Sequence, residues 1–399
     1  YKCSANNLYM KKLNIAIFTD TFIPQRDGVV TSTLSLAKGL ADKGNKVYII
    51  APNYKNFKEL LYPNISVKRM PGIPALFYPG FKLTSPISVE LIRYLKDKKI
   101  DVIHFQTPFT LGAQAVLIAK ILKKPLIGTF HTFITDEQYI RHIGINSSLL
   151  KKISWSYVRN YYNKCNLITC PSESTKKELV ENSFIRPVRV ISNGIDLFSS
   201  DNSKWKKIKE KYKLNASTLL FIGRIAHEKN LGYLLECFKL VVKKVPNTKL
   251  IIVGDGPQMD QLKKYANKLG ISNNIIFTGK IEHEELLKSG IFKAVDLFVT
   301  ASTTENQPMT ILEAQINGLA CVGINARGIK DLIKDGYNGY LAKNGDKEDF
   351  AEKIVSLIKN KKLLEKMSKN TLKEIKKHEI KSVISQWEET YNEVINERK

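Results

Sequence analysis

Along the chain, short apolar runs alternate with longer segments whose apolar residues recur at three- and four-residue intervals. The first kind reads as buried strand and the second as amphipathic helix. In the first half this pattern predicts strands at Asn14–Phe18, Lys46–Ala51, Val102–Phe105 and Leu126–Phe130, with helices at Thr31–Lys43 and Leu111–Leu122. The alternation then starts again, with strands at Thr218–Ile222, Lys249–Val253, Ile275–Phe277 and Asp296–Thr300 and a helix at Leu231–Val242. Strands that are apolar throughout, each followed by a helix, indicate parallel sheets covered on both faces, so the class is doubly wound α/β.

Between the halves, Ile191-Ser192-Asn193-Gly194-Ile195-Asp196 contains an Asn-Gly turn pair and leads into the polar run Ser199 to Ser203. Such a stretch marks a domain boundary. The expected division is a first domain over 10–195, a second over 196–380, and a terminal segment, 381–399. Its helix-like part, Ser382 to Ile395 with Trp387, is expected to pack back toward the first domain. No repeat of fixed period interrupts this plan.

One stretch carries the most chemistry: Ala301-Ser302-Thr303-Thr304-Glu305-Asn306-Gln307-Pro308-Met309-Thr310-Ile311-Leu312-Glu313-Ala314. An apolar strand precedes it and Met309 to Ile316 has helical spacing, so it reads as strand, loop and helix N-terminus. Such a terminus has unpaired N–H groups that suit a phosphate, and the carboxylates of Glu305 and Glu313 can accept hydrogen bonds from hydroxyls. A sugar nucleotide offers both groups. The alternative is an ordinary strand-loop-helix in which one Glu is solvated and the other stabilises the helix.

Composition narrows the class. A chain of 399 residues can bury two cores. No apolar run approaches the length of a membrane span, since even Ala113 to Leu122 is broken by Gln114 and Lys120. Lys11 and Lys12 run directly into a strand with no cleavage signal, and Met10 is the expected natural start. The five cysteines are scattered without a C-x-x-C pair, which speaks against a disulfide framework and a zinc site and for a reducing cytoplasm. The net charge of +25 calls for an anionic partner, either nucleic acid or an anionic membrane, unless a lysine-rich genome accounts for it.

Ligands of open α/β sheets bind beyond the carboxyl ends of the strands, which directs attention to four loops. After Asn14–Phe18 comes Asp20 to Ser32 with Gly28, where the chain can approach a ligand closely. After Leu126–Phe130 comes His131, a structural histidine unless other ligand groups join it. After Thr218–Ile222 come Gly223-Arg224 and Lys229, two cations that suit a diphosphate or are merely solvated. After Lys249–Val253 comes Gly254-Asp255-Gly256, half of a dinucleotide fingerprint whose third glycine position holds Met259. No G-x-x-x-x-G-K-[ST] occurs, so hydride chemistry and P-loop phosphoryl transfer lose ground.

Together, Gly28, His131, Gly223-Arg224 with Lys229, and Glu305-x7-Glu313 resemble the retaining glycosyltransferases of family four, whose GT-B architecture sets two Rossmann-like domains face to face across a cleft. The resemblance covers the chain after Met10. Within the family it looks most like the bacterial diacylglycerol glucosyltransferases, through Gly28-Val29-Val30-Thr31-Ser32, the stretch His131-Thr132 to Tyr139, and Glu305-Asn306-Gln307. It implies that Arg224 and Lys229 hold the donor diphosphate, that Glu313 accepts the ribose hydroxyls, and that Glu305 and His131 bind the donor sugar. Gly28, Gly254, Asn306 and the N–H groups of Met309 and Thr310 would complete the nucleotide-sugar site. Where the family usually has Gly, this loop has Pro308, which lacks an N–H donor.

The resemblance further implies no cofactor and no divalent metal, a UDP-sugar donor, and diacylglycerol as acceptor. The place implied is the cytoplasmic face of the cell membrane, held peripherally by anionic lipids. Two segments suit that surface by mixing basic and aromatic residues: Phe57 to Lys99, and a helix over Asn146 to Lys164 with Lys151, Lys152, Trp155, Arg159 and Lys164. The alternative for the helix is a core-facing aromatic stripe with a solvated basic face. Two other functions compete: transfer to a polar envelope saccharide, and nucleic-acid binding, against which stand the absence of any recognised motif and the spread of the basic residues.

Overall fold

The computed structural model describes residues 11–25, 27–55, 57, 59, 61–75, 82–85, 87–131, 147–196 and 202–397. Its strands in chain order are β1 (Asn14–Phe18), β2 (Lys46–Pro52), β3 (Ile65–Met70), β4 (Gly72–Pro74), β5 (Lys82–Thr84), β6 (Val102–Phe105), β7 (Leu126–Thr129), β8 (Leu167–Cys170) and β9 (Val188–Val190). The second group is β10 (Thr218–Ile222), β11 (Lys249–Val253), β12 (Ile275–Gly279), β13 (Leu297–Thr300), β14 (Ala320–Ile324) and β15 (Gly339–Ala342). They form a seven-stranded sheet in the order β3-β2-β1-β6-β7-β8-β9 and a six-stranded sheet in the order β12-β11-β10-β13-β14-β15. Every pairing within these two sheets is parallel; β4 and β5 make a small antiparallel hairpin. This is the doubly wound α/β plan read from the sequence, in two Rossmann-like units.

The topology decides where a ligand can sit. β1 lies between β2 and β6, so the connections run in opposite directions from it, and β10 stands in the same relation to β11 and β13. At such switch points the loops at the carboxyl ends part and leave a crevice. The loops after β1, β6, β10 and β13 therefore line the two facing halves of one cleft.

The terminal helix Ile380–Asn396 returns to the first domain as expected. Its Val383, Ile384, Trp387, Tyr391 and Val394 are buried in the same cluster as Ile15, Ile17, Val47 and Ile49. Close approach is possible because a Cβ on Gly39, in the helix Gly28–Asp42, would fall 2.4 Å from Ile384 Cγ1. The two segments that cross between the domains are bonded to each other: Ile195 N–H donates to His378 O at 2.8 Å and Ile380 N–H to Ile195 O at 2.9 Å.

The helix Ser147–Tyr162 corrects one expectation. Trp155, Val158 and Tyr162, at three- and four-residue spacing, point into the core, where Trp155 stacks on Phe130 at 6.2 Å with the planes 3° apart. Trp155 is thus a packing residue rather than part of an outward surface, because its large apolar ring gains more from the aromatic cluster with Phe184 than from solvent. Lys152 and Lys164 are exposed, while Arg159 donates to Asn182 O at 3.2 Å. The Lys151 side chain, Lys58, Phe77, Tyr78, Phe81, Asn146 and the stretch 132–139 lie outside the described residues. Among the described residues, no helix is long and apolar enough to cross a membrane, and Cys165, Cys170, Cys237 and Cys321 are buried free thiols.

Candidate active site

The cleft wall of the second domain is built by tying two loops together. After β10, Gly223 N–H donates to Val253 O at 3.0 Å, and the chain makes a tight turn, His227–Lys229, before Asn230 (φ 53°) opens the helix Leu231–Lys244. Asn230 Nδ2 then donates to Ala301 O at 3.3 Å and Ser302 Oγ to Glu228 O at 2.9 Å, which fixes this turn to the loop after β13. The result is an ion pair between Lys229 Nζ and Glu305 Oε1. Burial works to lower the pKa of Lys229, but the hydrogen-bonded Glu305 carboxylate outweighs it and holds the ammonium above its ordinary value. The Arg224 side chain is exposed beside this pair, near enough for its charge to oppose that rise.

The loop 305–308 is shaped from behind by Gly328, whose N–H donates to Glu305 O at 3.0 Å. A Cβ at that position would lie 1.6 Å from Asn306 O, so only glycine lets the two segments meet. Gly254 does the same in a neighbouring loop: its φ is +142° and a Cβ there would fall 1.9 Å from Gly223 O. It acts on the site through loop packing. Pro308 is the N-cap of the helix Met309–Ile316, so one of the donors that a helix N-terminus ordinarily leaves unpaired is missing, and the next two belong to Met309 and Thr310.

Glu313 is buried on that helix, and its Oε1 lies 2.7 Å from His283 Nε2. His283 begins the short helix His283–Lys288 that follows β12. The sequence-based candidates do not include it, although it lies just beyond the carboxyl end of the predicted strand β12.

The first domain contributes from across the cleft. Gly28 opens its helix under the cap of Asp27, which accepts from Val30 N–H at 2.8 Å, and a Cβ on Gly28 would meet nothing within 4 Å. His131 follows β7 and is half-buried, its Nε2 lying 2.6 Å from Gln106 Oε1. Burial lowers its pKa to about 4, so the ring is neutral at pH 7. Two residues of the loop 305–308 reach over to this domain. Asn306 Nδ2 donates to His131 O at 2.7 Å, and Gln307 bridges Ser192 and Asn193, accepting from Asn193 N–H at 2.6 Å. Asn193 in turn accepts from Ser32 Oγ at 2.8 Å, close to the start of the Gly28 helix. Farther along the rim, Asp331 accepts from Ser174 N–H at 2.9 Å and pairs the domains a second time.

The structure thus brings Gly28, His131, Arg224, Lys229, Glu305, Asn306, Met309, Thr310 and Glu313 to one cleft between two Rossmann-like domains. It leaves Lys152 and Arg159 on a separate helix of the first domain, with Lys164 two residues beyond its end. Two Rossmann-like parallel sheets with their carboxyl-end loops facing one cleft are the GT-B architecture. Residues 26–198 match the family described as Glycosyltransferase Family 4 and residues 202–374 the one described as Glycosyl transferases group 1. An alpha-monoglucosyldiacylglycerol synthase of Streptococcus pneumoniae is 32% identical over 336 residues, 82% of this chain and 75% of that protein. The enzyme of the same name from Acholeplasma laidlawii is 28% identical over 374 residues, covering 90% of this chain and 91% of its own. The crystal structure of HepE from Anabaena, solved with UDP, superposes with a TM-score of 0.77 at 18% identity over 96% of this chain and all of that one. The chain is a glycosyltransferase and belongs to family four.

Proposed function

We propose that this glycosyltransferase moves glucose, with retention, from UDP-glucose to the free hydroxyl of diacylglycerol at the cytoplasmic face of the membrane. The observation that carries the reading is the Lys229–Glu305 pair set opposite His131, with Asn306 joining the two walls. Arg224 and Lys229 supply positive charge where a departing diphosphate would lie, and a closed, water-poor cleft strengthens that charge. Glu305 accepts hydroxyls of the sugar, Glu313 those of the ribose, and the N–H groups of Met309 and Thr310 face the phosphates. Gly28 leaves room for the diphosphate and sugar. No carboxylate nucleophile is assigned, and the acceptor hydroxyl attacks on the face the diphosphate leaves. Support for this donor and acceptor comes from the names of the two bacterial relatives and from the UDP held by HepE.

The deciding experiment incubates the purified chain with radiolabelled UDP-glucose, UDP-galactose and GDP-mannose in turn, with vesicles containing diacylglycerol and an anionic lipid. Label from UDP-glucose should enter the organic phase as a monoglycosyl lipid. Label that stays in the aqueous phase with every donor, yet moves to a polar saccharide acceptor when one is added, would reject the lipid assignment.

A further inference from the structure

The ring of His131 is held from the neighbouring strand. Its Nε2 lies 2.6 Å from Oε1 of Gln106, the first residue beyond β6 at the switch point and itself buried. The nitrogen end of the same amide lies 3.1 Å and 3.3 Å from the two ring nitrogens of His104. Those nitrogens have other partners already, Tyr391 Oη at 2.8 Å and Thr129 Oγ1 at 2.6 Å. An amide group nearly equidistant from both therefore lies over the ring face. There an N–H is attracted and a carbonyl oxygen repelled by the π-electrons, which settles which end of the amide points which way. The carbonyl of Gln106 faces His131 and must accept from it, so the proton of His131 sits on Nε2.

We propose that Gln106 is a positioning residue that holds His131 as the neutral Nε2–H tautomer, so that Nδ1 meets the bound sugar as an acceptor for one of its hydroxyls. The inference rests on the reading that His131 reaches the donor sugar. Behind Gln106 the support is continuous: His104 is clamped by Tyr391 and packed 4.8 Å from Trp387, both on the terminal helix Ile380–Asn396. In front, Asn306 fixes the main chain of His131 from the second domain. Among the described residues, the titratable groups packed against this assembly are His104, Tyr391 and Tyr162, whose Oη donates to Thr129 O, and burial keeps all three neutral at pH 7. A lone pair at Nδ1 suits a neutral hexose and disfavours a donor that brings a carboxylate or sulfonate to the same place.

Nitrogen-15 spectra of the imidazole side chains, with His131 assigned by its loss in His131→Ala, read the tautomer directly. The wild-type ring should be Nε2–H. Gln106→Met, which fills the space without an acceptor, should populate both tautomers and lower turnover about tenfold at saturating donor, the worth of one hydrogen bond of about 1.4 kcal/mol. Gln106→Glu, which still accepts from Nε2–H, should restore the tautomer at high pH, and its negative charge should raise the His131 titration and add a matching limb to the pH–rate profile. An Nδ1–H ring in the wild type, or an unchanged tautomer and rate in folded Gln106→Met, would overturn the proposal. If the tautomer responds as described while His131→Ala turns over at the wild-type rate, the placement of His131 against the sugar fails and the hold exerted by Gln106 stands.

Discussion

The ammonium of Lys229, carried by the turn after β10, is hydrogen-bonded to the carboxylate of Glu305, carried by the loop after β13. Two groups with opposite charges, both proposed to contact the donor, satisfy each other. A diphosphate entering the cleft competes for the lysine, and a sugar hydroxyl for the carboxylate. Glu305→Ala and Arg224→Ala should each lower transfer by about two orders of magnitude, because each removes a group set against departing charge or the sugar being moved. Turnover at saturating donor checks this, and near-wild-type turnover in folded variants would sink the site assignment.

Glu313 and His283 should behave differently from that pair. Glu313→Ala is expected to weaken nucleotide binding while changing turnover at saturating donor little, since its proposed contacts lie away from the reacting centre. His283→Ala removes only the group bonded to that carboxylate, and a lost hydrogen bond of about 1 kcal/mol corresponds to a rise of roughly fivefold in donor KM. Calorimetric titration with UDP should show the same order, with Glu313→Ala the weaker binder of the two.

Stability should fall as the solution is acidified from about pH 6.5. His104 is pushed down to about 3 and His131 and His378 to about 4, in each case chiefly by burial. All three lie below the unfolded value near 6.5, so between pH 6.5 and about 4 the unfolded chain binds more protons than the folded one and unfolding is favoured. Asp20 runs the opposite way, because burial raises its carboxyl pKa despite hydrogen bonds from Thr107, Thr110 and Leu111. Urea midpoints measured from pH 7.5 to 4.5 should be flat at the upper end and decline below about 6.5; a flat profile throughout would contradict the buried neutral imidazoles.

Chelation should leave transfer intact. The charge that a divalent ion would supply at a diphosphate is proposed to come from Arg224 and Lys229, so excess EDTA is expected to change the initial rate by less than about twofold. Complete loss, restored by magnesium or manganese, would show that the two cations are insufficient.

Much of this was legible from the chain because parallel strands buried on both faces leave unbroken apolar runs. β6, β10 and β11 fall where the pattern put them, while the Gly28 helix starts three residues earlier than expected because Asp27 caps it. The strand-end rule found His131, Lys229 and Glu305, but applied to β6 and β12 it would also have pointed to Gln106 and His283. What stayed hidden was pairing across distance: nothing local in Asn306 says that it bonds residue 131, or in Gln307 that it joins Ser192 and Asn193. The helix Ser147–Tyr162 failed for another reason. Lys152, Trp155, Arg159 and Tyr162 do lie close together around the helix, yet a stripe of aromatics edged by cations looks the same whether it is pressed into a core or onto a membrane.

That correction bears on where the proposed membrane contact would lie. Among the described side chains of the helix Ser147–Tyr162 the exposed cation is Lys152, joined by Lys164 just beyond, with Ile153 at 55% exposure and Tyr157 on the outer side. Arg159 is held by a backbone carbonyl and contributes less. In the other segment Arg69 is committed to Glu59 and Lys68 to Glu90, but Ile73 on the β4–β5 hairpin is 69% exposed, and Ile87 and Val89 stand open nearby in the chain. A cation near an anionic surface contributes about 1 kcal/mol, so the double change Lys152→Gln with Lys164→Gln should weaken partitioning onto anionic vesicles by up to ~2 kcal/mol, roughly thirtyfold, and added salt should mimic it. Ile73→Ser with Ile87→Ser should weaken partitioning in a salt-independent way, since it removes apolar insertion and no charge. Vesicle sedimentation at low and high salt separates the two. If the lysine variant sediments like the wild type at low salt and the isoleucine variant does not, docking runs through the segment around the hairpin; if neither changes while transfer to vesicle-borne diacylglycerol persists, both surfaces are excluded.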